Sequence, residues 1–224
     1  FDEYSNSFIV LASPQEGWQS RMSLPIYAKY GNERMECFRV CTVIDTDTEG
    51  EKRVFKIALS THANLHIDRL GANYKRLLEQ FGKSGLAPVK CSVQKGKERG
   101  TALAGVASKA KDIVKFDYMS GITLEDYLNE LESAGRYPQM ESVILEYCQK
   151  LNSLTDVVEF KSSVGFVEVF GKREFKKKYT AINPCNFDMI FSNIVFDEKD
   201  MEKGQWTVLD YEWVWDFAIP IQFV

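Results

Sequence analysis

Asn186–Phe196, NFDMIFSNIVF, sets an aspartate and an asparagine, Asp188 and Asn193, ahead of an apolar run of strand character. Trp206–Trp215, WTVLDYEWVW, then sets Asp210 at the end of a second apolar run, with the polar turn DEKDMEKG between the two. Two short strands joined by such a turn form a ribbon, and a ribbon brings Asn193 and Asp210 side by side. Polar oxygens gathered at the rim of a ribbon whose other residues want burial point to a metal site.

Working outward, the chain preceding this ribbon changes character along its length. IYAKYGNERMECFRVCTVIDT carries strand residues broken by the turn GNER, DTDTEGEK is a hairpin connection, and RVFKIAL is the returning strand. STHANLHIDRLGANYKRLLEQFG places Ile67, Leu70, Tyr74, Leu77, Leu78 and Phe81 at steps of three and four. That spacing predicts an amphipathic helix over 62–81, with Ser60 or Thr61 as its cap and Gly82 past its end. APVKCSV and DIVKFDYM are strand candidates, separated by the small-residue basic loop QKGKERGTALAGVASKAK. ITLEDYLNELESAG then predicts a helix with Leu124, Leu128 and Leu131 on one face and Thr123 as its cap. PQMESVILEYCQKLNSL predicts another that starts at Pro138. A β-rich part with one long helix, followed by a helical part carrying a ribbon, is an α+β order. Doubly wound sheets alternate strand and helix throughout.

Composition narrows the function. With 224 residues, 45% of them apolar, the chain can bury one large core or two small ones. A net charge of -4 argues against nucleic acid as a partner. Five scattered cysteines without a CxxC pair suit free thiols in a reducing, cytoplasmic setting. No apolar run approaches the ~18–20 residues of a membrane helix, and no signal peptide opens the chain. The first residue is Phe and the end, AIPIQFV, is apolar; both are read as marks of a piece of a longer protein. His62 and His66 stand four apart without a third ligand, and are expected to be partly exposed helix residues.

Phosphoryl transfer to a hydroxyl needs a carboxylate to take the proton, oxygens to hold magnesium and a cation to position phosphates. Asp-x4-Asn followed by a strand-end Asp is the order in which kinases arrange the first two. Asp68 and Asn73 repeat the spacing inside the long helix, so spacing alone is weak. The order adds weight, because Lys56 in RVFKIAL comes first, then the long helix, the connector, the Asp/Asn pair and Asp210.

On these residues the chain resembles the kinase-like superfamily that holds aminoglycoside and choline/ethanolamine kinases. DMIFSNIVFD and WTVLDYEW are similar to the catalytic loop and metal-binding segment of the choline kinase group. IYAKYGNERMECFRV, KFDYMSGITLEDYL, VEVFG and DYEWVWDFAIPIQF resemble an uncharacterised kinase-like module of bacterial surface-glycan proteins, one often found beside glycosyltransferase domains.

The resemblance implies a bilobal fold: an N-lobe at 1–115, a hinge at 116–120 and a truncated C-lobe at 121–224, with the catalytic loop at 186–193 and the metal segment at 206–213. It implies ATP and Mg2+ as cofactors, Asp188 as base, Asn193 and Asp210 as magnesium ligands, and Lys56 on the α- and β-phosphates. Phe116, Asp117, Tyr118 and Met119 would form a hinge pairing with adenine. Glu79, the only glutamate of the long helix, is the candidate partner for Lys56, with Asp68 as rival. The implied function is Mg-ATP-dependent phosphotransfer to a hydroxyl of a small molecule or glycan in cell-surface polysaccharide assembly. The alternative is a pseudokinase module that regulates or scaffolds a glycan enzyme.

Three features depart from the family pattern: Asn186 stands where these kinases carry His, the loop KYGNERMECF has a single glycine, and only a short tail follows Asp210. Glu212 is open between a further metal ligand and an exposed side chain. Trp206, Trp213 and Trp215 are expected to pack in the core. The run Lys172–Lys178 is a solvated face, or an attractor for an anionic acceptor.

Overall fold

The computed structural model describes residues 24–47, 49–82, 84–96, 111–156, 159–196 and 204–224. Three strands, β1 (Leu24–Tyr30), β2 (Val40–Thr46) and β3 (Lys52–Ala58), run antiparallel from the start of the described chain. The expected hairpin between β2 and β3 is present. Asp47 closes it, its carboxylate accepting from the backbone N–H of Glu49 and of Glu51, each at 2.9 Å. The helix α1 (Asn64–Phe81) follows, then the short strands β4 (Leu86–Pro88) and β5 (Cys91–Gln94), and then β6 (Ile113–Asp117). Strands β1, β2, β3, β6 and β5 form one sheet in that order. Most of the basic loop expected between β5 and β6 lies outside the described residues.

Alternation along β2 and β3 divides the side chains between the two faces of this sheet. Cys41, Val43, Phe55, Ile57 and Ile113 bury together in a small cluster. Val40, Ala58, Val114 and Phe116 instead join Ile67, Leu70 and Leu77 of α1 in the main core. Lys56 lies between Phe55 and Ile57, so it points to the α1 side.

Helix α1 differs from its expected form at three points. Its first turn is preceded by a 3-10 turn at Thr61–Ala63, and neither Ser60 nor Ala63 makes a side-chain cap bond. Leu78 is exposed, whereas His66 and Asn73 are buried on the core face. Periodicity counts apolar residues only, so two polar residues that serve the junction between sheet and helical part went uncounted.

The second half holds β7 (Ile122–Thr123), α2 (Leu124–Ser133), α3 (Tyr137–Ser153) and α4 (Val164–Phe170). Thr123 caps α2 as expected, accepting from the Asp126 N–H at 3.0 Å. Helix α4 was not expected. Ser163 caps it, and Phe166 anchors it among Phe160, Phe170, Phe175 and Phe223. Six short strands follow among the described residues: β8 (Ala181–Ile182), β9 (Cys185–Asn186), β10 (Ile194–Phe196), β11 (Trp206–Val208), β12 (Val214–Trp215) and β13 (Ile219–Pro220).

The ribbon deduced from the sequence is β10 with β11, paired antiparallel as Ile194↔Val208 and Val195↔Thr207. It sits inside a four-stranded sheet of order β4, β11, β10, β7. Because β4 lies parallel to β11, the first half of the chain contributes a strand to the sheet of the second half. One apolar core runs from Val40 to Ile219 without interruption. The protein is thus α+β, with a β-rich N-terminal sheet, and no helix among the described residues is long and apolar enough to cross a membrane.

Asn73 is the polar stitch between α1 and the segment after β11, its amide donating to the Tyr211 carbonyl at 2.9 Å. Both groups are buried, so removing the amide strands a carbonyl away from water. Asn73→Ala is expected to lower the unfolding free energy by about 1–3 kcal/mol in urea denaturation. The exposed neighbour change Lys75→Ala should stay within about 0.5 kcal/mol.

Candidate functional site

The segment after β11 meets both the N-terminal sheet, through Lys56, and helix α1, through Asn73 and His66. Asp210 and Glu212 project from it two residues apart, a spacing that puts both on one side of an extended chain. Lys56 of β3 meets them both. Its Nζ lies 2.6 Å from Asp210 Oδ2 and also donates to Glu212 Oε1, joining residues 154 and 156 positions apart in sequence. Glu212 has two more contacts: Arg34 Nη1, from the loop between β1 and β2, at 2.5 Å, and His66 Nε2, from α1, at 3.3 Å.

These contacts revise two assignments. The partner of Lys56 is Glu212 together with Asp210, not a residue of the helix. Glu79 is exposed near the far end of α1, beside Arg76, Asn183, Pro184 and Asp216. Asp68 faces Lys95. His66, expected to be partly exposed, is 3% exposed and belongs to the cluster. The available signal was the i, i+2 spacing of Asp210 and Glu212; Arg34 carried none.

Burial works against charge here, and the partners overcome it. Desolvation favours the neutral amine at Lys56, but the charges and hydrogen bonds of Asp210 and Glu212 raise its pKa above the ordinary lysine value. Burial likewise pushes the Glu212 carboxyl up. The His66 hydrogen bond, the Lys56 charge and hydrogen bond, and the Arg34 charge together hold it well below the ordinary range.

The loop of Asp188 and Asn193 lies against the same segment. Strand β9 pairs with β12, and Phe187 N–H donates to the Trp213 carbonyl at 2.9 Å. Leu209 N–H donates to the Asn193 carbonyl at 2.8 Å. Asn186 braces the loop. Its Oδ1 accepts from Asp188 N–H at 3.2 Å and its Nδ2 donates to the Asp210 carbonyl at 3.0 Å. Asn193 Nδ2 donates to the Asp188 carbonyl at 3.1 Å, which leaves its oxygen as the atom suited to a cation. Asp188 Oδ2 accepts from Trp213 N–H at 3.3 Å. Burial, followed by the nearby Asp210 charge, pushes the Asp188 carboxyl up to about 6.

The donor set suits a hard divalent cation. Asp210 retains 29% side-chain exposure, its Oδ2 taking Lys56 and its Oδ1 accepting from Glu212 N–H at 3.3 Å, and its neighbour Leu209 is hydrogen-bonded to the Asn193 backbone. Mg2+ is held by such partial sets, since it keeps several waters and takes further ligands from phosphates. Among the described residues, no three His, Cys, Asp or Glu side chains form a closed metal cage.

The four hinge candidates divide into two pairs. Phe116 is paired within β6 on both sides, and Asp117 N–H donates to the Lys90 carbonyl at 3.0 Å. Tyr118 and Met119 lie beyond the strand, where Lys52 Nζ covers the Tyr118 ring at 4.9 Å. Trp206 is buried and stacks on Phe196, as expected for core. Trp213 and Trp215 are only half-buried and line a cavity of about 420 Å³ with Phe38, Arg69 and Phe217. In the basic run the charged residues are exposed while Phe175 inserts among Phe160, Phe166 and Tyr179.

Compared with known proteins, the chain matches no family model, and a search of curated proteins finds no match.

Removing Lys56 leaves two facing carboxylates without their shared cation. Lys56→Met is expected to lower the unfolding free energy by about 3–5 kcal/mol. Glu212→Gln should also destabilise. The double variant should cost less than the sum of the two, with a coupling of at least about 1 kcal/mol in a urea-denaturation cycle.

Proposed function

We propose that the protein is a kinase-like Mg-ATP-dependent phosphotransferase that acts on a hydroxyl of a small molecule or glycan. The observation that carries this reading is the Lys56–Asp210 ion pair, which joins the central strand of the N-terminal sheet to the end of the ribbon at 2.6 Å. Beside it lies the loop of Asp188 and Asn193. A five-stranded antiparallel sheet with one helix between its third and fourth strands in the chain supports the bilobal reading. So does a hydrogen-bonded loop and ribbon, since phosphoryl transfer depends mainly on positioning and charge.

Each residue then has a task that its surroundings fit. Asp188 accepts the proton of the acceptor hydroxyl. A carboxyl pushed up to about 6 is a stronger base than an ordinary aspartate and still ionised at neutral pH. Asn193 and Asp210 hold the magnesium. Lys56, kept charged by its two carboxylates, stands where it can pass from them to phosphate oxygens. Tyr118 and Met119, beyond the end of β6, offer backbone groups to the adenine. When bound, Mg·ATP supplies the phosphoryl group and the cation charge that disperses its negative oxygens. The acceptor class, and a role in surface-polysaccharide assembly beside a glycosyltransferase, rest on the resemblance of the connector and the final segment to glycan-associated modules.

Asp188 links stability and activity in opposite directions. Its folded pKa lies above its unfolded value, 3.8, so the folded protein binds the extra proton between about pH 4 and 6. Stability from this group is therefore present at low pH and lost as pH rises through 6. Asp188→Asn should remove a penalty of about 2–3 kcal/mol at pH 7 in magnesium-free buffer and flatten the pH profile between 4 and 6. The same variant should lose at least about 100-fold in phosphate transfer, measured with labelled ATP across sugar and amino-alcohol acceptors. Wild-type protein that binds Mg·ATP but transfers phosphate to none of them would favour the pseudokinase reading.

A further inference from the structure

The loop between β1 and β2 reaches Glu212 with a single glycine, Gly31, where a glycine-rich loop would let backbone amides approach phosphate. It is held in another way. Gly31 N–H donates to the Val40 carbonyl at 3.0 Å, and Arg34 N–H to the Gly31 carbonyl at 3.3 Å. Arg39 Nε donates to the Arg34 carbonyl at 2.8 Å. The Phe38 ring stands edge-on to His66 and Trp213, with centroids 5.3 and 5.1 Å away. A side chain at Gly31 would meet Arg34 Cδ at 3.2 Å and the Val40 carbonyl at 3.3 Å. The loop's one glycine therefore makes room for the folded-under shaft of Arg34.

What this loop delivers to Glu212 is a guanidinium. Arg34 Nη1 reaches Glu212 Oε2 at 2.5 Å, across 178 positions of sequence. Its side chain is 34% exposed while that of Glu212 is 3%, so the arginine covers the carboxylate from the solvent side. The bond uses Nη1 alone, and a guanidinium carries five N–H groups in a planar fork suited to phosphate oxygens. Glu212 is also held by Lys56 and His66, so it does not need Arg34 to stay partnered. Lys56 and Arg34 here face three carboxylates, Asp188, Asp210 and Glu212. A magnesium polyphosphate entering that space brings negative charge for both cations to meet.

We infer that Arg34 is a nucleotide-binding residue, whose guanidinium leaves Glu212 to engage the terminal phosphates and so replaces the backbone amides of a glycine-rich loop. The assignment rests on the phosphotransferase reading, and its chemistry is specific to polyphosphate rather than to the nucleoside.

Calorimetric titration of the full chain in magnesium buffer tests it, with adenosine, ADP and ATP against wild type, Arg34→Ala and Arg34→Lys. Loss of a charge-assisted contact predicts ATP binding weakened by about 10- to 100-fold in Arg34→Ala. ADP should lose less, adenosine should change less than about twofold, and Arg34→Lys should recover part of the ATP affinity. Unchanged or tighter ATP binding in Arg34→Ala, with wild type binding normally, would overturn the assignment alone and make the residue a plug. Equal loss of all three ligands would overturn it in favour of a structural role. Wild type that binds neither ATP nor adenosine would overturn the nucleotide reading itself.

Discussion

A buried carboxylate must be paired or it will not stay ionised, and Glu212 is the carboxylate on which this structure turns. Its partners come from three places: Lys56 from the central strand of the sheet, His66 from the long helix and Arg34 from the loop between β1 and β2. No two of these are neighbours in sequence. Satisfying one charge therefore fixes the relative positions of sheet, helix, loop and ribbon. Removing Lys56, the buried cation of the set, costs several kcal/mol because the carboxylates it joins are left unpaired. Lys56 is anchored by the segment after the ribbon, and helix α1 reaches the cluster through His66, with Asn73 holding the intervening Tyr211 carbonyl.

The same segment sets the geometry of the Asp188 loop. Asn186 spans the backbone of Asp188 and Asp210, and the short β9–β12 ladder holds the two segments together. The Asn186 amide offers an acceptor oxygen and an NH2 group with two donors, and both are used here, Nδ2 donating to the Asp210 carbonyl and also reaching Met189 Sδ at 3.5 Å. Rigid support of this kind, backed by a continuous apolar core, keeps three carboxylates close. Burial, with the nearby Asp210 charge second, raises the pKa of Asp188, which pays in stability for basicity at neutral pH.

Much of the architecture was legible in local pattern. The β2–β3 hairpin, α1, α2, α3 and the β10–β11 ribbon follow from alternation, three-and-four spacing, a threonine cap and a polar turn. The misses among the site residues share one cause. Glu212, His66, Asn73 and Arg34 are polar residues whose positions are decided by partners far away in sequence, and periodicity gives such residues to solvent. Glu79 was favoured as the partner of Lys56 because it lies on the helix, but three-dimensional proximity put the partnering carboxylate on the ribbon instead. Helix α4 was missed because it is short and its anchor, Phe166, is fixed by aromatic rings drawn from both sides of it.

In the proposed function this charge cluster underlies a nucleotide site that needs Asp210 to face the metal. Thermal unfolding with and without Mg·ATP, on wild type and Asp210→Asn, tests it most directly. A ligand at about 100 times its dissociation constant adds roughly 2.7 kcal/mol to the folded state. A nucleotide site there gives a magnesium-dependent rise in Tm for wild type that is lost in Asp210→Asn. An unchanged wild-type Tm at millimolar Mg·ATP, or an equal rise in both proteins, would contradict it.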